Sequence, residues 1–169
     1  MANKQSFTPA EWTKILESIM VAGIAVSAAE PSGLWGTLKE ALASRSALSA
    51  SKLDTASNEL IKTAIADLET RDSRVAVEEA IHSRFADARP AEIVQRSLDN
   101  LREVSAILDA KAPAEAAAFK AFLNGISQKV ADAATEGGFL GFGGVRVSKA
   151  EKATLGEIAK ALGTAAKIA

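Results

Sequence analysis

Apolar side chains recur at intervals of three and four residues along most of this chain, the spacing that gathers them on one face of an α-helix. Trp12, Ile15, Ile19, Gly23 and Val26 form the first such stripe, and "TPAEW" before it reads as a helix start. Thr8 can cap, Pro9 suits the first helical position because its missing N–H would be unpaired there anyway, and Glu11 can reach back to Thr8. The pattern predicts a helix from Pro9 to Ala28 or Ala29, broken by Pro31 and Gly33 in "EPSGLWG". A shorter second helix is expected through "LWGTLKEALASR", with Leu34, Leu38, Ala41 and Leu42 on one side. A third covers residues 51 to 71, where Leu53, Leu60, Ala64 and Leu68 make a stripe that Ile61 and Ile65 widen. Asp72 or Ser73 can open a fourth, carrying Val75, Val77, Ile81 and Phe85.

Proline marks the next two starts. Pro90 falls in the first turn of a fifth helix lined by Val94, Leu98, Leu101 and Leu108, and Pro113 opens a sixth lined by Phe119, Phe122, Leu123, Ile126 and Val130. In "SKAE", Ser148 and Glu151 have the capping-box spacing, which stabilises a helix start by about 1 kcal/mol; Leu155, Ile158 and Leu162 then face inward. No stretch alternates with period two, and "GVRV" at 144 to 147 is the single strand-like fragment. The fold class predicted is all-α, one domain over residues 1 to 169 built as a bundle of six to seven helices. The passages "VAGIAVSAAEPSGLWGTLKEAL" and "VADAATEGGFLGFGGVRVSKAEKATL" share a plan, which suggests two related helical hairpins.

Composition narrows the classes. With 20 Lys and Arg against 21 Asp and Glu, no net field draws in nucleic acid or an anionic membrane. The absence of cysteine removes disulfides, thiolate nucleophiles and zinc–thiolate sites. "MANKQSFTPAEW" has no secretory apolar core, and the uncharged run Ser18 to Ala29 is shorter than the roughly 20 residues a bilayer span needs. A cytoplasmic protein without a membrane span is expected.

The segment "EGGFLGFGGVRVSKAE", residues 136 to 151, concentrates the candidate chemistry. Gly138 and its neighbouring glycines can present backbone N–H groups beside the start of the last helix, with Arg146 close by, an arrangement suited to an anion. It lacks the "GK[ST]" of a phosphate-binding loop and the dinucleotide fingerprint. The same glycines serve equally as a helix end and turn, with Phe139, Leu140 and Phe142 folded over the bundle. Left exposed, those three side chains would instead grip a protein partner or a second copy of the chain.

Two further constellations involve carboxylates. Glu79 and His82 have the Glu-x-x-His spacing of carboxylate-bridged metal helices, but His82 is the single histidine, so the second motif such sites need does not exist. What is left is a structural histidine or, as the weaker alternative, a single-metal site or small metal-dependent hydrolase centred on this pair. Glu30, Glu40, Glu136 and Glu151 occupy matched places in the two hairpins, and carboxylates gathered at loop ends can hold a hard divalent cation. Glu40 and Glu151 also have a helix-dipole or capping explanation. No "GxSxG" elbow accompanies the serines, and no complete catalytic signature is present.

The stretch "GGVRVSKAEKATLGEIAKAL" resembles a helix-opening pattern of the tellurite-resistance TerB-like family, carried here by Val147, Ser148, Glu151, Leu155, Ile158 and Leu162. "IAVSAAEPSGLWGTLKEAL" is a looser echo. The resemblance implies a compact helical domain associated with metal or oxidative stress, binding divalent cations through acidic loop residues and working through partner proteins. The family's usual "DG" turn is replaced by "GGVRV", which leaves Glu136 and Glu151, with Glu30 from the first hairpin, as the acids available. The expectation is therefore a non-catalytic binding protein with a TerB-like stress or metal-associated role. The alternative is an interaction module without metal, docking through residues 137 to 144 and Trp35.

Overall fold

Between Ile15 and Ala28 the chain carries one charged side chain, Glu17, so a helix formed there has almost no face to offer to water. In the computed structural model that helix, α1 (Pro9–Ala29), occupies the centre of the bundle. The structure describes residues 2–29, 58–136 and 148–165, the side chains of 133–136 excepted. A short 3-10 turn, Lys4–Ser6, precedes α1, and five helices surround it among the described residues: α2 (Glu59–Leu68), α3 (Arg71–Phe85), α4 (Pro90–Lys111), α5 (Pro113–Glu136) and α6 (Lys149–Ala161). The all-α bundle expected from periodicity is the observed fold.

Most of α1's surface is taken by α4 and α5, with α3, α6 and α2 closing the remaining sectors. Every residue from Ile15 to Ala28 except Met20 is buried. Around it lie Leu60, Leu98, Leu101, Leu108, Phe119, Leu123, Ile158 and Leu162, which belong to one contiguous core. Small residues let α5 approach closely. A Cβ added at Gly23 would meet Cγ2 of Val130 at 3.2 Å, and the buried Ser127 hydroxyl donates to the Ala22 carbonyl at 3.0 Å. Such a cross-helix bond satisfies a hydroxyl that would otherwise be costly to bury.

The helix ends follow local chemistry. The Thr8 N–H donates to Glu11 Oε2 at 2.7 Å while the Glu11 N–H donates to Thr8 Oγ1 at 3.3 Å, the reciprocal cap expected from "TPAEW". Pro90 and Pro113 open α4 and α5 as anticipated. At the far end of α6, Gly163 adopts a φ of +69°, which lets the Thr164 N–H reach the Ala159 carbonyl and its own N–H reach Lys160. That pairing is a Schellman stop, and glycine adopts its left-handed conformation without a Cβ clash.

Four details differ from the sequence reading. The first stripe was too narrow: Leu16, Ser18, Val21, Ala22 and Ala25 are buried with it, because α1 is enclosed on all sides. Its 21 residues are long and apolar enough to cross a membrane, yet its most apolar stretch is 78% buried in the bundle, as befits a core helix. The third predicted helix begins at Glu59, since Asn58 is extended and accepts from the Ile61 N–H at 3.1 Å, and the next begins at Arg71 because Thr70, not Asp72 or Ser73, is its cap. Val75, placed on an inward stripe by spacing, is 45% exposed. The predicted helix through 34–45, "GVRV", and the second member of the first hairpin lie outside the described residues.

Truncating Phe119, which is fully enclosed, to alanine should cost about 3–5 kcal/mol in denaturant unfolding. Val75→Ala on the rim of α3 should stay within about 0.5 kcal/mol.

Candidate functional site

The start of α6 is the part of the predicted site that the structure describes. Ser148 accepts from the Glu151 N–H at 3.1 Å, and Glu151 Oε2 accepts from the Ser148 N–H at 2.8 Å, completing the predicted capping box. Unlike an ordinary capping glutamate, Glu151 is buried, with 3% of its surface accessible. Its second oxygen, Oε1, is enclosed and has no hydrogen-bond partner. The cap therefore accounts for one carboxylate oxygen and leaves the other unexplained. An enclosed, unpaired acceptor costs about 1–3 kcal/mol, more when it carries charge.

Glu136 ends α5, so the chain between Glu136 and Ser148 begins and returns at the same bundle. Gly138, Phe139, Leu140, Phe142 and Arg146 lie outside the described residues, as do Glu30, Glu40 and Trp35. Glu79 and His82 are both exposed on the outer face of α3. Among the described residues, no three or more His, Asp or Glu side chains are grouped so as to hold a metal ion by themselves. Val75 is the one exposed large apolar side chain in the same set.

Sequence reasoning missed a polar cluster where α1 meets α3 and α4. Glu17 is 1% exposed, and both its oxygens are taken by Arg84 of α3: Nε donates to Oε1 at 2.5 Å and an Nη donates to Oε2 at 3.1 Å. Asn100 of α4 donates to the same Oε2 at 3.0 Å, and its own Oδ1 is buried without a partner. The hydrogen bond to Glu17 outweighs desolvation and raises the Arg84 pKa above its ordinary value, so the guanidinium stays charged. The available signal was Glu17 itself, the lone charge between Ile15 and Ala28, which demands a partner wherever α1 is buried.

A second ion network fastens the N-terminal end. Asp67 of α2 accepts from the Trp12 indole at 2.7 Å, from Lys4 at 2.9 Å and from Ser73 at 2.9 Å. Burial pushes its carboxyl upward, but the bonds from Trp12, Lys4 and Ser73 together hold it below the usual value. Glu11 is lowered to about 2, chiefly by the hydrogen bond from Lys111 and next by the Thr8 backbone bond. Both networks bind together elements that are distant in sequence.

Compared with known proteins, the chain finds no match among protein-family models, curated proteins or solved structures. What the geometry defines on its own is an all-α bundle with a buried, half-satisfied carboxylate at the start of its last helix.

Because the folded-state values of Glu11 and Asp67 are depressed, their contribution to stability is present above the unfolded carboxyl range and is lost as pH falls. Stability should decline as pH drops from 4.5 to about 2. In Glu11→Gln combined with Asp67→Asn, the decline in thermal midpoint over that interval should be visibly shallower, as circular dichroism melts would record.

Proposed function

We propose that this chain is a non-catalytic helical binding protein with a TerB-like, metal- or stress-associated role, in which Glu151 helps to hold a divalent cation at the start of α6. The observation that carries the reading is the enclosed Oε1 of Glu151, which has no donor although Oε2 is fully engaged in the cap. Hard cations such as calcium and magnesium take oxygen ligands, and a bound ion would satisfy that oxygen in a way the helix cap does not. The sequence offers Glu136 and Glu30 as further carboxylates and backbone carbonyls from the intervening glycine-rich stretch. Glu151 alone cannot supply the six or so oxygens such ions collect, so water and these neighbours belong to the same proposal.

The remaining carboxylates argue for binding over catalysis. Glu79 and His82 stand in solvent, and the buried carboxylates Glu17 and Glu115 are engaged, the first by Arg84 and Asn100 and the second by the Ala2 N–H. A cytoplasmic setting accords with the cysteine-free composition. Action through a partner protein is part of the TerB-like reading.

Calorimetric titration with calcium, magnesium, manganese and zinc tests the reading directly. At least one ion should release or absorb heat and raise the melting temperature, with a stabilisation of about 2.7 kcal/mol when its concentration is a hundredfold above Kd. Glu151→Gln keeps an acceptor for the Ser148 N–H and so keeps the cap, while removing the charge. That variant should melt normally without metal and lose the metal-dependent rise. No heat and no melting shift with any of the four ions in the unaltered protein would sink the proposal.

A further inference from the structure

Helix α3 is attached differently from its neighbours. Over 15 residues it buries two apolar side chains, Val77 and Phe85, whereas α4 buries Ile93, Leu98, Leu101, Val104 and Leu108. It packs chiefly on α1, touches α2 and α4 lightly, and leaves Val75 exposed on its outer side. Much of its grip on the core is the Arg84 fork on Glu17, extended by Asn100, with Arg96 donating to the Arg84 carbonyl at 2.7 Å. Its other end is fastened at the surface, where Ser73 donates to Asp67.

An element with few buried apolar contacts is the kind that opens ahead of the rest of a fold. An ion pair with one member fully enclosed differs from apolar packing in one respect: separating it strands the carboxylate unless water reaches it. Moving α3 outward admits that water, because α3 supplies the cover on that side of Glu17.

We propose that α3 is a separable flap, opening from α1 as a unit while α1, α4 and α5 remain packed, and that the Arg84–Glu17–Asn100 contact is the latch that sets how often it opens. The opened state presents Glu17 and Asn100 to solvent side by side, an anionic and amide surface that the closed state conceals.

Native-state hydrogen exchange of the full chain tests this. In the unaltered protein, α3 amides should exchange at least about tenfold faster than those at the centres of α1 and α4, after correction for intrinsic rates, and with a weaker dependence on denaturant. Arg84→Met should raise α3 exchange about a further tenfold while changing α1 and α4 much less. The double variant Glu17→Leu with Arg84→Met removes the latch without stranding a charge, so its α3 exchange should stay above the original rate while α1 and α4 exchange as before. Equal rates and equal denaturant slopes for α3, α1 and α4 in the unaltered protein would overturn the proposal, as would acceleration of all helices alike in Arg84→Met. If Arg84→Met does not fold, the unaltered protein decides whether α3 is a flap. The double variant then decides the latch: α3 exchange raised with α1 and α4 unchanged supports it, and α3 exchange at the original rate overturns it.

Discussion

Helix α1 has to be covered on every side, and that requirement organises the rest of the molecule. From Ile15 to Ala28 it offers no solvated face, and among the described residues five helices close around it, each burying apolar side chains against a sector of α1. Burial of this kind stabilises in proportion to area and has little directionality. Area alone would leave the surrounding helices free to slide. Gly23 beside Val130 and the Ser127 bond to the Ala22 carbonyl set the height of α5 on α1, because a displaced α5 would lose the hydroxyl's acceptor and its close fit.

Glu17 does the same for α3 by a different physical route. Removing one partner of a buried ion pair typically costs about 3–5 kcal/mol, whereas replacing both by apolar groups of similar size is often neutral. The pair therefore matters most for holding α3 in the one placement where Arg84 and Glu17 meet. Arg suits this position because its planar fork engages both carboxylate oxygens and its charge persists under burial.

How much of this was legible depends on how far apart the interacting residues lie. Thr8 with Glu11, Ser148 with Glu151, and the prolines at 90 and 113 act within one turn, so their positions along the chain announced the helix starts. The inward stripes were legible for the same reason. Following a single helical stripe nevertheless left out the apolar and small residues between its members, Leu16, Val21, Ala22 and Ala25 among them, and made a wholly buried helix look one-sided. Glu17 and Arg84 are 67 residues apart, and Asp67 and Trp12 are 55 apart, so no local pattern could pair them. Thr70 displaced Asp72 as the cap of α3 because its hydroxyl reaches the Ser73 N–H, a choice among adjacent capping residues that composition does not rank.

The candidate site shows the same division in a single residue. Its spacing from Ser148 made Glu151 a cap, and the structure agrees. The capping spacing carries no information about burial, and burial is what turns an ordinary cap into a chemical question. An exposed capping glutamate has water for its second oxygen, so the cap explains it fully. At 3% exposure that oxygen has lost the water and gained no protein donor, so the cap no longer accounts for the residue's free energy. A glutamine would cap without stranding a charge. Glutamate at this depth keeps an acceptor that the cap does not use, which is why the proposed cation reading rests on Oε1 rather than on the abundance of acids nearby.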